Sequence, residues 1–145
     1  MMKKLSQEAI GAWGRLIQVQ QRLLDKVEAD LKGAGLPPLS WYDVLLELNR
    51  VPAGRLRQFE LSEKVLLSKY NLSRLLDRLE EQGLIGRESC DEDRRGTHVS
   101  ITPDGKKLLK RMWPIYAKAI HTHFARHLAP EEQAQLGALL ERLLH

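Results

Sequence analysis

Residues 61–102 read LSEKVLLSKYNLSRLLDRLEEQGLIGRESCDEDRRGTHVSIT, and the way this stretch folds decides what the rest of the chain must be. Ser68 offers a side-chain oxygen to the orphan amides of a helix start, and Leu72, Leu75, Leu76 and Leu79 then recur at three-and-four spacing. Gly83 stands where a helix would end in the left-handed region that glycine favours. These signals predict a helix over 69–82. A short amphipathic stretch with Leu61, Val65 and Leu66 precedes it across a tight turn around Leu67. After Gly83 the apolar period drops from 3.6 toward 2: LIGRE at 84–88 and THVSI at 97–101 read as the strands of a hairpin with DEDRRG at its tip. Two helices across a turn, followed by a hairpin, form a winged helix-turn-helix.

Working outward, Ala9, Trp13, Leu16, Ile17, Leu23, Leu24, Val27 and Leu31 repeat as one face of a long opening helix, which GAGLPP at 33–38 stops. Ser40 and Asp43 are spaced as a capping box for a second helix over Val44, Leu45 and Leu48, ending near Val51–Gly54. Thr102, Pro103 and Asp104 supply an N-cap, a proline at the first helical position and an acid in the first turn. The helix they begin runs through Phe124 and is expected to kink at Pro114. A last helix covers roughly 131–144 on Leu136, Leu139, Leu140 and Leu143. The fold class expected is mainly α with a small β-hairpin wing. Its parts are an N-terminal helix over 1–38, a winged helix-turn-helix over 39–103 and C-terminal helices over 104–145.

The 145 residues are 43% hydrophobic and 29% charged, an ordinary globular balance. The net charge of +4 is concentrated in the middle: residues 55–111 hold 13 basic and 10 acidic side chains, against 7 and 6 before them and 3 and 3 after. A basic excess around a helix-turn-helix suits a polyanionic partner. One cysteine, Cys90, excludes an intrachain disulfide and a four-thiolate zinc site. Neither a signal-peptide pattern nor a run of about 20 apolar residues is present, so no membrane partner and a cytoplasmic location are expected.

A helix with one leucine stripe and a polar N-terminal half can enter the DNA major groove, where base edges offer donors and acceptors to short polar and arginine side chains. Ser68, Lys69, Tyr70, Asn71, Ser73 and Arg74 stand in that half, with Arg78 further along. Lys69 and the helix N-terminus favour a phosphate. Arg94 and Arg95 at the wing suit the adjoining minor groove, whose negative potential attracts a planar cation. Asp93, two residues before Arg95, can hold that guanidinium extended. Each feature has a plainer counterpart: any surface helix is polar outside, DEDRRG could be a solvated turn, and Arg78 could pair with Glu81. It is their succession that points to duplex DNA.

Three stretches, LSWYDVLLELN at 39–49, the 61–87 segment and DEDRRGTHVSITPDGKKLL at 91–109, resemble the MarR family of bacterial transcriptional regulators over nearly the whole chain. Asp-x-Arg at 93–95, followed by the alternating strand and Thr-x-x-Gly at 102–105, carries most of that resemblance. The chain departs from common members at Leu66–Leu67, where a small residue often marks the turn, and at the bulky Tyr70–Asn71. The resemblance implies a homodimer joined through its first and last helices, one winged helix per subunit and a palindromic operator. It puts Ser73 and Arg74 on the reading surface and Arg95 at the minor groove. A homodimer is also expected from the wide apolar stripes at both ends, which need a partner surface.

Trp13, Trp41, Tyr42, Trp113 and Tyr116 come from the first, second and fifth helices, which in this family surround a cleft, and they are a candidate site for an aromatic or phenolic effector as well as ordinary packing aromatics. His121, His123 and His127 cluster late in the kinked helix without a cysteine or carboxylate at ligand spacing, so no metal is expected. The acids beside Cys90 would raise its thiol pKa rather than activate it. With no phosphate loop, nucleophile elbow or HExxH, nothing points to an enzyme, and no cofactor is expected. The reading is a ligand-responsive, DNA-binding repressor. Its rivals are a winged helix that binds protein, separable by a gel shift, and a redox- or metal-responsive regulator, separable by peroxide or a chelator.

Overall fold

The computed structural model of the protein describes residues 3–65, 67–90 and 93–145, with the side chains of Lys69, Cys90, Asp93, Arg94 and Arg95 outside the description. Its elements are α1 (Gln7–Gly33), α2 (Leu39–Arg50), β1 (Arg55–Arg57), α3 (Gln58–Lys64), α4 (Lys69–Glu81), β2 (Ile85–Cys90), β3 (Asp93–Ile101), α5 (Pro103–His123) and α6 (Pro130–Glu141). No helix among the described residues is long and apolar enough to cross a membrane. Two compact units emerge, residues 35–114 and a second unit of 1–34 with 115–145.

In the 35–114 unit, Val44, Leu45 and Leu48 of α2, Leu61 of α3, Leu72, Leu76 and Leu79 of α4, Val99 of β3 and Met112 of α5 are fully buried. The leucine stripe of α4 therefore faces the core, as its spacing predicts. At its start the Asn71 amide donates to Ser68 Oγ at 3.1 Å. At its end Gly83, with φ +73°, lets the chain turn back: its amide donates to the Glu80 carbonyl at 3.0 Å and the Leu84 amide to the Leu79 carbonyl at 2.9 Å. Two otherwise orphaned carbonyls are thus satisfied, and the chain is aimed into β2.

The sheet has three antiparallel strands in the order β1-β3-β2. Strand β1 is an addition to the expected hairpin: Arg55, Leu56 and Arg57 pair with Ser100, Val99 and His98. The hairpin strands also run longer than their alternating cores, and Asp93, Arg94 and Arg95 belong to β3 instead of a free turn. The register breaks near the tip, with Ser89 opposite Thr97 but Cys90 opposite Asp93, so positions 94–96 bulge out of the ladder with β2. Asp91 and Glu92 lie outside the described residues.

Helix α2 begins at Leu39, and Ser40 is not its cap. Pro38, fixed at φ −59° with an extended ψ, takes the cap position, and its carbonyl accepts the Trp41 amide at 3.0 Å. Helical bonding has started before Ser40 could cap it, and the start also buries Leu39. The beginning of α5 follows the expected pattern. Thr102 Oγ1 accepts from the Gly105 amide at 3.1 Å and donates to the Gly83 carbonyl at 2.7 Å.

The second unit consists of α1, the later part of α5, a 3-10 turn over Ala125–His127, α6 and a further 3-10 turn over Arg142–Leu144. Pro114 sits inside α5 without ending it. Here the buried apolar side chains are Val27, Leu31 and Ala119. Leu5, Ile10, Trp13, Ile17, Leu24, Leu139, Leu143 and Leu144 are exposed, and α6 buries none of its residues.

Candidate nucleic-acid interface

Because Leu72, Leu75, Leu76 and Leu79 hold one side of α4 in the core, the residues between them are turned outward. Tyr70, Asn71, Arg74 and Arg78 are exposed and Ser73 is half-buried. Tyr70 leaves 70% of its surface in solvent, an unusual position for so large a ring, and the Arg74 guanidinium lies 5.6 Å from its centroid. That cation–π contact holds both side chains out from the first two turns of the helix. The side chain of Lys69 lies outside the described residues.

Beside this face runs a groove of about 290 Å³ between the start of α2 and α4. Ser40 and Trp41 line one wall, Asn71, Arg74 and Arg78 the other. Sequence reasoning assigned Trp41 to an effector cleft; its position against the arginines of α4 is visible only once the helices are packed. Arg78 has no described pairing with Glu81. The ion pairs of α4 go instead to Arg87 on β2, whose Nη2 lies 2.6 Å from Asp77 Oδ1 and 2.9 Å from Glu80 Oε1, with Nε 3.2 Å from the same Glu80 oxygen. The Glu80 bond, ahead of that to Asp77, holds the guanidinium above its ordinary pKa against the effect of burial.

Arg87 was not anticipated. One signal was present: Ile85 and Arg87 are two apart on β2, so Arg87 shares the face of buried Ile85, and its ladder partner Val99 is buried too. Arg87 therefore points toward α4 at the margin of the core and ties wing to helix. Strand β1 adds Arg55 and Arg57 to the sheet, two cations that periodicity did not single out. The side chains of Asp93, Arg94 and Arg95, the expected wing contacts, lie outside the described residues, although β3 carries their backbone.

Of the aromatic candidates, Tyr42 and Trp113 stack within the 35–114 unit, with ring centres 6.4 Å apart and planes 19° from parallel. Burial, with some help from Asp43, pushes the Tyr42 phenol above its ordinary pKa, so it is neutral at physiological pH. Trp13, 67% exposed on α1, and half-buried Tyr116 belong to the other unit. There His123 Nε2 meets Asp30 Oδ2 at 2.8 Å, while His121 and His127 are exposed. The groove of about 470 Å³ at that pair also touches Lys118 and Thr122.

Comparison with known proteins agrees with this fold. A model of the MarR family matches residues 34–96. AbsC, a MarR family transcriptional regulator from Streptomyces coelicolor, is 29% identical with a TM-score of 0.85 over 99% of this chain and 96% of its own. Sco3205, a MarR family regulator from the same organism solved in complex with DNA, is 28% identical with a TM-score of 0.88, covering 99% and 90%. A mutant of MarR from E. coli, solved with operator DNA, is 26% identical with a TM-score of 0.79, covering 99% and 100%. Through the match over its helix-turn-helix and its likeness in fold to regulators of this kind along nearly its whole length, the chain is similar to the MarR family of winged helix-turn-helix transcriptional regulators.

Proposed function

We propose that the protein is a sequence-specific regulator of transcription that binds double-stranded DNA as a homodimer on a palindromic operator. The observation that carries this reading is the outer face of α4, where Tyr70, Arg74 and Arg78 project into solvent from a helix anchored by four core leucines. On this reading α4 enters the major groove with Ser68, Lys69, Tyr70, Asn71, Ser73 and Arg74, while Arg94 and Arg95, steered by Asp93, reach the neighbouring minor groove. Arg78 stands at the edge. The function is binding, with no catalysis.

The homodimer is supported by the second unit, whose exposed leucines and Trp13 on α1 and α6 need a surface to cover them. Two subunits would set their α4 helices on half-sites about one turn, roughly 34 Å, apart. A small aromatic or phenolic effector, taken by a site that includes the stacked Tyr42 and Trp113, would change that separation and release a repressor from its operator in the cytoplasm. The MarR mutant and Sco3205, each solved with DNA, support the choice of partner.

A salt series of binding to the promoter beside the protein's own gene, against an unrelated duplex, tests the proposal. Affinity for the promoter should be higher and should fall steeply with salt, whereas affinity indifferent to both salt and sequence would end it. Arg95→Ala should weaken promoter binding about tenfold and leave the circular dichroism unchanged.

A further inference from the structure

Resting on the DNA-binding reading above, we propose that the groove between the start of α2 and α4 is a seat for one backbone phosphate of the duplex, with Arg78 as its cation and Trp41 as its wall. Asn71, Arg74 and Arg78 are spaced by three and four residues, so they form a single row along α4. Ser40 and Trp41 face that row across the groove, and Leu67 and Leu75 complete it. It is an open groove of about 290 Å³, room enough for a tetrahedral anion.

The charge is of one sign. No carboxylate lines the groove, and among the described residues neither Arg74 nor Arg78 has an acidic partner. Of the three acids on the later half of α4, Asp77 and Glu80 are drawn away by Arg87, and Glu81 makes no ion pair with Arg78 among the described residues. Arg74 is committed to the face of Tyr70, which leaves the donors of Arg78 to the groove, beside the Ser40 hydroxyl and the Asn71 amide. Helix α2 starts without a side-chain cap, so its positive end adds to the same field. A phosphate held here would fix how deep and in what register α4 lies, and it would carry no base information.

The test measures the affinity of the full-length protein for the promoter duplex and for an unrelated duplex of equal length across a salt series. Arg78→Gln should weaken both by the same factor and reduce the slope of log K against log salt by about 0.9 for each chain bound, while Arg78→Lys should keep the slope. Trp41→Ala, which changes no charge, should also weaken both duplexes alike, with Trp41→Phe restoring most of the loss, and thermal melting would establish that these variants fold. A slope unchanged in Arg78→Gln overturns the proposal, as does a loss confined to the promoter, which would make Arg78 a reader of bases. Trp41→Ala with full affinity would likewise overturn the wall. If the unaltered protein binds neither duplex, the DNA-binding reading itself has failed. If it binds and the variants behave like it, only the seat has.

Discussion

In the unit formed by residues 35–114 the apolar side chains of seven helical and strand elements converge on one core, and among the described residues all but three of the buried apolar ones lie there. The terminal unit, with a helix of 27 residues among its elements, buries only Val27, Leu31 and Ala119 among its described apolar residues. Its leucines are as regular in spacing as those of α4, but they meet solvent. The two regions obey the same periodicity with opposite results. An amphipathic stripe states that a helix has a face to bury, and it leaves open whether the covering surface comes from the same chain.

The sharpest way to break this comparison is to charge the terminal stripe. Trp13→Glu combined with Leu143→Glu should convert a dimer to a monomer in sedimentation and lower operator affinity by about 100-fold or more, since the second half-site is lost. A protein that stays folded and dimeric would remove the contrast. Next, Leu76→Ala in the fully buried stripe of α4 should cost about 2–5 kcal/mol in denaturant unfolding and leave the oligomeric state alone. Gly105→Ala should cost about 1–3 kcal/mol, because a Cβ there would run into the Leu84 carbonyl oxygen and lie 2.8 Å from Ile101 Cγ1.

Arg87→Ala should have a smaller effect on stability, about 1 kcal/mol by thermal unfolding, since the pairs with Asp77 and Glu80 are partly solvated. If α4 enters the major groove as proposed, its effect on DNA affinity should be larger than that figure suggests, because two acids are left unneutralised on that helix. Smallest of all, His123→Ala should cost less than about 1 kcal/mol, as the carboxylate of its partner Asp30 is partly solvated. A larger loss would mean that the terminal unit has more internal cohesion than its sparse burial implies.

What was legible in the sequence is what local chemistry decides. The cap at Ser68, the stop at Gly83, the leucine stripe between them and the Thr102 start of α5 all depend on residues within a few positions of one another. What was not legible depends on distance along the chain. Strand β1 has three residues, too few for a period, and exists because residues 98–100 offer it a free edge. Arg87 meets acids seven and ten positions away across a turn, so no helical spacing rule reaches it. Ser40 failed as a cap because Pro38 decided the geometry first. For the interface, the sequence located the helix and its outward residues, whereas Trp41 in the groove followed only from how α2 and α4 pack.

Thr102 joins three pieces of backbone through one hydroxyl, accepting from the first turn of α5 and donating to the residue that closes α4. A single oxygen therefore fastens the end of one helix to the beginning of another. Removing that oxygen would strand the Gly83 carbonyl and the Gly105 amide at the same stroke, one where α4 has just ended and the other where α5 has just begun.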